Sequence, residues 1–227
     1  MDEKIYLHGI CANERGVYDS FQTIRTLNRI LRSRYLLSLR LQRQFVSYGF
    51  NGLDYISLCD YEKRNEAYQY DDLYNSYHAY IRPSLSFAFP KSELKVVEPI
   101  ILEEKCISTK KGYKKMSDLG NSKYERYSDY ADEVQVKGRI PISKSCGITF
   151  PTHSLAGKYP SLEQDIDRIL YEIETINELI DYYKFNLEIF DIDTFERLDS
   201  ASSIRNVLKF KSNNWYCFFY VWRVLWN

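Results

Sequence analysis

An excess of charge of either sign is absent from this chain. Its 227 residues include 31 lysines and arginines and 31 aspartates and glutamates, so the formal net charge is zero. A protein without net charge is not attracted as a whole to nucleic acid or to an anionic membrane. The balance excludes bulk electrostatics as a basis for binding, and any charged partner has to meet a local patch.

Paired cysteines are also lacking. The five cysteines, at positions 11, 59, 106, 146 and 217, are scattered, odd in number and form no C-x-x-C pair. This pattern argues against a disulfide framework and a structural zinc site. His78 and His153 have no acid or cysteine at ligand spacing, so we interpret both as incidental and expect no bound metal. We expect a reducing compartment, either the cytoplasm of the producing cell or the cytosol of a target cell.

Long hydrophobic runs are missing as well. The longest, Trp215 to Trp222, is far shorter than the roughly 20 residues that span a bilayer, so we expect no transmembrane helix. Residues 1–6 lack the apolar core of a secretory signal, and no export signal is expected. The chain also contains no P-loop, no Rossmann glycine fingerprint and no serine or cysteine nucleophile motif.

The chain does contain enough apolar material for one core. Hydrophobic residues make up 44% of it and aromatic residues 16%. A length of 227 residues suits a single domain, which we predict to span residues 1–227.

Two helices are indicated by the spacing of apolar residues. From Phe21 these residues recur every three or four positions, which predicts a helix of about four turns capped by Ser20. A second helix starts after Ser161, a suitable cap, and has an apolar stripe with acids on its outer face. The first helix and the segment after it are basic on the opposite face, through Arg25, Arg29, Arg32, Arg34, Arg40 and Arg43. These arginines fit a solvated face, a phosphate anchor or a docking patch for an acidic macromolecule.

Short strand patterns fill much of the remaining sequence. The first covers residues 4–7 and is expected to end at His8-Gly9, where glycine permits a sharp turn. Later strands are predicted at residues 55–59, 85–89, 96–102, 133–136, 147–150 and 187–191, with 147–150 as the neighbour of the strand at Glu133. We predict a tyrosine-rich loop or lid at 60–80 and a long exposed connection at 105–125. The aromatic last 25 residues are expected to pack on the core or to form an interface.

One carboxylate stands at the entrance of a half-buried strand. Val134 and Val136 alternate with polar residues, so Glu133 and Gln135 are predicted to share the polar face. Alone, this pattern indicates an ordinary exposed strand end. Two earlier segments give it a further meaning.

Three motifs follow one another in a recognisable order: YLHG at residues 6–9, GLDYIS at 52–57 and DEVQV at 132–136. They resemble the ADP-ribosyltransferase superfamily, particularly its diphtheria-toxin-like and poly-ADP-ribose-polymerase-like branch, which carries His, Tyr and Glu on three separate strands. Residues 30–36 are similar to an IL-x-S-x-x-L pattern of that family. The third motif, running into Arg139-Ile140-Pro141-Ile142, also resembles DNA-targeting ADP-ribosyltransferase toxins. The resemblance covers about residues 4–150, with 161–227 as a C-terminal extension packed on that core.

This resemblance implies a fold and a reaction. The fold is α+β, a split mixed β-sheet with flanking helices and a C-terminal helix. The reaction is transfer of ADP-ribose from NAD by a bacterial toxin or effector, without a metal. Cleavage of the nicotinamide–ribose bond develops positive charge on the ribose, which a carboxylate stabilises. Glu133 is therefore the implied catalytic residue, and Gln135 is a candidate for orienting the acceptor.

The resemblance also implies an NAD-binding set. A histidine at position 8 contacts the adenosine-side ribose, and Gly9 lets the backbone approach nicotinamide. A tyrosine ring stacks on nicotinamide. Tyr55 is the first choice for that position, and Ser57 is the alternative because another branch of the family uses a serine there.

The acceptor is open to three interpretations. Balanced charge favours a protein side chain, conceivably on a host regulatory protein such as ubiquitin. The arginine patch and the third motif favour nucleic acid as an alternative. A third interpretation is a catalytically inactive interaction module that uses its aromatic tail as the contact surface.

Overall fold

The computed structural model describes residues 3–10, 18–38, 41–42, 55–63, 84–94, 96–97, 106–109, 112–115, 133–157 and 160–210. Its strands are β1 (Ile5–Ile10), β2 (Tyr35–Leu37), β3 (Tyr55–Asp60), β4 (Leu85–Pro90), β5 (Val96–Val97), β6 (Cys106–Thr109), β7 (Gly112–Lys115), β8 (Glu133–Lys137), β9 (Arg139–Pro141), β10 (Gly147–Phe150) and β11 (Ile189–Asp191). Its helices are α1 (Ser20–Ser33), α2 (Leu162–Tyr182) and α3 (residues 201–210).

Seven strands form one sheet in the order β11-β10-β4-β1-β3-β8-β5. Strand β11 runs parallel to β10, and the other pairs in this sheet are antiparallel, so the sheet is mixed. Strands β2 and β9 form a separate ribbon, and β6 with β7 forms another. The predicted α+β class is confirmed. None of the helices in the described ranges has the length and apolar composition that crossing a membrane requires.

Strand β1 continues past its predicted end. It pairs with β4 from Ile5, opposite Pro90, to Ile10, opposite Leu85. The expectation that the strand stops at His8-Gly9 is therefore wrong. Glycine permits a turn there, but β4 supplies a pairing partner along the whole of β1.

Strand β8 has a different neighbour from the one predicted. It lies between β3 and β5, whereas β10, the expected neighbour, lies between β4 and β11. Gly138 follows β8 with a φ of 79°, a left-handed conformation that suits glycine. The chain then leaves the main sheet, pairs as β9 with β2, and re-enters at the other side as β10. The predicted exposed connection at 105–125 is also corrected, because its described part is the β6–β7 hairpin.

The two long helices are capped by short polar side chains. Ser161 Oγ accepts a hydrogen bond from Gln164 N at 3.3 Å, which confirms the predicted cap of α2. At α1 the cap is Asp19, whose carboxylate accepts from Gln22 N at 3.0 Å. The prediction of Ser20 as the cap is therefore wrong by one position, because the Ser20 hydroxyl donates to Glu172 instead.

Both long helices pack on the same face of the sheet. Leu27 and Leu31 of α1 and the isoleucines of α2 join the sheet residues Phe87, Phe89 and Phe150 in one main core. The helices run side by side in the same direction, as two contacts show: the first joins Ser20, at the start of α1, to Glu172, in the middle of α2. Farther along, Tyr183 donates to Asn28 Oδ1 at 2.6 Å.

A buried carboxylate joins the helices. Glu172 is only 1% exposed, although the sequence pattern assigns acids to the outer face of α2. Ser20 Oγ donates to it at 2.6 Å, and Arg168 Nη2 lies 2.6 Å from Glu172 Oε1. Tyr18, itself buried, lies beside this cluster and packs edge-on against Phe150 with ring centroids 5.6 Å apart. The acid is retained inside because donors from two elements satisfy it.

We expect Glu172→Ala to lower the free energy of unfolding by about 1–3 kcal/mol, because it leaves the Ser20 hydroxyl and the Arg168 guanidinium without their acceptor. The estimate stays at this modest level because the Arg168 side chain is 38% exposed and water can replace part of the lost contact. Urea denaturation measures the change. Glu174→Ala, at an exposed position of the same helix, is the matched control, and equal effects of the two substitutions would contradict the assignment.

The buried Tyr18 hydroxyl predicts that the folded chain loses stability at alkaline pH. Burial raises the pKa of its hydroxyl above the ordinary value, and the negative charge of Glu172 raises it further. In the unfolded chain this group ionises near pH 10. The stability that depends on the neutral form is therefore intact below about pH 10 and is lost as the pH rises above it.

We expect the unfolding free energy of Tyr18→Phe to fall less steeply between about pH 9.5 and 11 than that of the unsubstituted chain. Urea unfolding at several alkaline pH values measures the two slopes. Tyr171→Phe removes an exposed hydroxyl and should leave the slope unchanged. Identical slopes for the chain and Tyr18→Phe would show that Tyr18 does not couple folding to pH.

Candidate functional site

The central sheet opens between β1 and β3. The two strands pair only at Tyr6 with Asp60 and at Leu7 with Cys59. Beyond that point β1 continues along β4 to Ile10, and β3 runs along β8 from its beginning at Tyr55. Residues 8–10 and 55–58 therefore form the two arms of a fork whose base is the Leu7–Cys59 pair. We call this feature the β1–β3 fork.

Residues of two sequence motifs lie on the arms of the fork. His8 and Gly9 follow Leu7 on the β1 arm, opposite Phe87 and Ser86 of β4. On the β3 arm are the positions of Tyr55 and Ser57, the two candidates for the second-motif residue.

The third motif lies one strand farther, on β8. Glu133 is the register partner of Cys59, and Gln135 is the partner of Ser57. Glu133 therefore occupies a position beside the base of the fork. The three strands that carry the motifs are consecutive in the sheet, although they are far apart in the sequence.

Strand alternation sorts these positions between the two faces of the sheet. Tyr6 and Ile10 belong to the main core, whereas Leu7 packs with Cys59, Ala88 and Ile192 in a second cluster. Positions two apart in a strand share a face, so Gly9 goes with Leu7, and the half-buried His8 goes with Tyr6.

The register carries this alternation across to β8. The pairs Ala88–Leu7, Leu7–Cys59 and Cys59–Glu133 form one row. The Glu133 position therefore belongs to the face of Leu7 and Gly9, and His8 to the opposite face. The His8 and Glu133 positions therefore lie at the same fork but on opposite faces of the sheet.

The segment after β11 covers the second cluster. Asp191 is buried and accepts hydrogen bonds from Asp193 N at 3.0 Å and from Thr194 N at 2.9 Å, and the Thr152 hydroxyl also donates to it. These bonds hold Ile192 against Leu7 and Cys59 at the base of the fork.

The same segment also comes close to His153. His153 Nδ1 lies 3.2 Å from Asp193 Oδ2. The interpretation of His153 as a residue without a nearby acid is therefore wrong. The partner lies far along the chain, and no local spacing signals it.

The arginine patch is exposed where the structure describes it. Arg25, Arg29 and Arg32 point to solvent from α1, and the Arg34 guanidinium lies 5.3 Å from the centre of the Phe185 ring. Arg40 and Arg43 lie outside the described residues. The same is true of the predicted lid at 60–80 apart from its first four residues, and of the aromatic tail beyond residue 210.

Two other kinds of site can be examined within the described ranges. Those ranges contain no group of three or more His, Cys, Asp or Glu side chains that could hold a metal ion. Burial raises the pKa of the Cys146 thiol, which disfavours the thiolate that a cysteine nucleophile needs. Comparison of the chain with protein-family models, with curated proteins and with solved structures gives no match.

Proposed function

We propose that the chain is a mono-ADP-ribosyltransferase that binds NAD at the β1–β3 fork and transfers ADP-ribose to a macromolecular acceptor. One observation carries the proposal. The three strands whose motifs resemble the His, Tyr and Glu motifs are neighbours in the sheet, and the sheet opens between the first two. A fork with backbone on both arms offers an extended dinucleotide a place to lie across the sheet.

The two arms of the fork are proposed to contact different parts of NAD. Gly9 has no side chain, so the β1 backbone can be approached closely, as contact with the nicotinamide amide requires. Tyr55 supplies the stacking ring from the β3 arm; in the alternative assignment Ser57 is the second-motif residue and contributes a hydroxyl instead of a ring. His8 belongs to the other face of the sheet, and a ligand that lies in the opening meets both faces. Its proposed contact is the ribose on the adenosine side.

Glu133 is the proposed catalytic carboxylate. In the reaction, the bond between ribose C1′ and the nicotinamide nitrogen breaks, and nicotinamide leaves with the bonding electron pair. Positive charge develops on the ribose, and a carboxylate beside it lowers the barrier. The nucleophilic atom of the acceptor then bonds to C1′ and gives up its proton, with Gln135 as the candidate for orienting it.

A protein side chain is the proposed acceptor. The chain has no net charge with which to attract nucleic acid. The exposed arginines of α1 are also flanked by exposed acids on the adjacent α2, including Glu174 and Glu178, which oppose a phosphate backbone.

A second candidate is an inactive module of the same architecture that binds a ligand without cleaving it. The observation that favours it is the alternation of β1, which assigns His8 and the Glu133 position to different faces. A ligand held on one face alone would meet only one of the two residues.

Nicotinamide release from NAD separates the two candidates. We expect the chain to release nicotinamide, and we expect Glu133→Gln to slow release by about 100-fold or more, because the amide keeps the shape of the carboxylate but not its charge. The affinity for NAD, measured by calorimetry, should stay within about twofold, since the carboxylate acts mainly on the developing charge.

The matched control is Glu62→Gln, which neutralises an exposed carboxylate just beyond β3. It should leave release and affinity unchanged. Normal release by Glu133→Gln would remove that residue from the mechanism. NAD binding without release by the unsubstituted chain would select the inactive module, and absence of binding would end the proposal.

The acceptor requires a separate experiment. Incubation with cell lysate and NAD labelled in the adenosine moiety, followed by protease or nuclease, should leave a label that protease releases and nuclease does not. A nuclease-sensitive label would select nucleic acid as the acceptor.

A further inference from the structure

The solvent side of α1 and α2 carries two rows of opposite charge. We call it the two-helix surface. Its basic row on α1 consists of Arg25, Arg29 and Arg32, and its acidic row on α2 consists of Glu174, Glu178 and Asp181. Three aromatic side chains lie among these charges and are 72%, 61% and 76% exposed: Phe21, Tyr171 and Tyr182. Aromatic side chains are enriched at protein–protein interfaces relative to the rest of the surface.

The relative height of the two rows follows from the contacts between the helices. Ser20 contacts Glu172, 152 residues later, and Asn28 contacts Tyr183, 155 residues later. Applied to Arg25, these two offsets give a height between residues 177 and 180 of α2, which is the level of Glu178. The same offsets bring Arg29 to the level of Asp181.

The rows do not neutralise one another within the chain. Among the described residues, none of these three arginines and three acids takes part in an ion pair. Packed helices have axes about 8–10 Å apart, and side chains that point outward from both are farther apart still. Each row therefore presents uncompensated charge to a partner.

We propose that the two-helix surface is the interface of a symmetric dimer, with a second copy of this chain as its occupant. A two-fold axis that runs parallel to the helices, midway between them, turns α1 of one copy onto α2 of the other and preserves height. Arg25 then meets Glu178 of the second copy, and Arg29 meets its Asp181. The symmetry makes every such pair twice.

The charge pattern favours a second copy over other partners. A nucleic acid on the arginine row would lie about one helix diameter, roughly 10 Å, from the acidic row, which is little more than the screening length of about 8 Å at physiological salt, so part of the repulsion remains. A basic partner on the acidic row meets the same difficulty from the arginines. A second copy supplies opposite charge to both rows, through Arg25 with Glu178 and Arg29 with Asp181, and a chain with zero net charge has no overall repulsion to prevent self-association.

Sedimentation velocity on the full chain over a range of concentrations tests the proposal. We expect a monomer–dimer equilibrium whose dimer affinity falls as NaCl is raised from 50 to 500 mM. These concentrations correspond to screening lengths of roughly 14 and 4 Å. Arg25→Glu and Glu178→Arg should each weaken the dimer by about tenfold or more, because each reversal replaces two attractive contacts by two repulsive ones. The double variant carrying both reversals should recover most of the affinity, because it restores opposite charges in the reversed sense.

Matched controls make the same charge changes elsewhere. Lys91→Glu and Glu196→Arg alter exposed residues outside the two helices and should leave dimerisation unchanged. A monomer at every concentration would overturn the proposal, as would a dimer indifferent to both single reversals. A monomer that binds a fluorescent single-stranded oligonucleotide through Arg25 would overturn it in favour of a nucleic-acid surface. None of these outcomes depends on nicotinamide release, so the dimer proposal and the proposed activity are tested independently.

Discussion

Strand β1 is paired with β4 through all six of its residues, but with β3 through only two. This unequal pairing determines the shape of the central sheet. Strand β3 is itself held to β8 over five residue pairs, so β1 with β4 and β3 with β8 behave as two stable halves joined at Leu7 and Cys59. Neighbouring strands twist by about 20–25° relative to one another, and halves joined so briefly separate beyond their junction. The fork is a consequence of where the ladders end.

The helix layer has a corresponding fixed point at Glu172. Its carboxylate receives the Ser20 hydroxyl from the start of α1 and lies against Arg168 of its own helix. A buried charge tolerates little displacement, because losing a donor exposes it to an apolar surrounding. The contact therefore sets the height of α1 against α2, while Leu27 and Leu31 hold α1 to the sheet. The levels of Arg25 and Glu178 on the outer side follow from the same contact.

Local signals in the sequence were sufficient for several elements. The apolar stripe after Ser161 and the cap itself lie within one helix, and periodicity and capping chemistry predict both. The strands at Tyr55, Leu85 and Glu133 were recognisable for the same reason. The order of strands in the sheet was not, because pairing is non-local. Strand β10 follows β8 closely along the chain, yet the left-handed turn at Gly138 sends the chain to β2 before it returns.

The roles of side chains whose partners are distant in the sequence also cannot be predicted from periodicity. Ser20 and Asp19 are both good caps, and only the presence of Glu172 on another helix decides between them. Glu172 resembles an outer-face acid in the sequence because its hydrogen-bond donor Ser20 lies on another helix. His153 looked incidental because Asp193 reaches it from the segment after β11. In each case the deciding interaction joins residues that no local pattern connects.

The base of the fork is an unusually dry place for charge chemistry. Leu7, Cys59 and Ala88, which share a row with the Glu133 position, are fully buried, and Ile192 covers them. Electrostatic interactions are much stronger beside such a low-dielectric patch than in water. A carboxylate there stabilises a developing positive charge more effectively than one on an open strand end. The bonds of Asp191 to Thr152 and to its own loop keep Ile192 in place, so a segment far from the motifs covers the base of the fork, and under the proposed activity it would exclude water from the reaction.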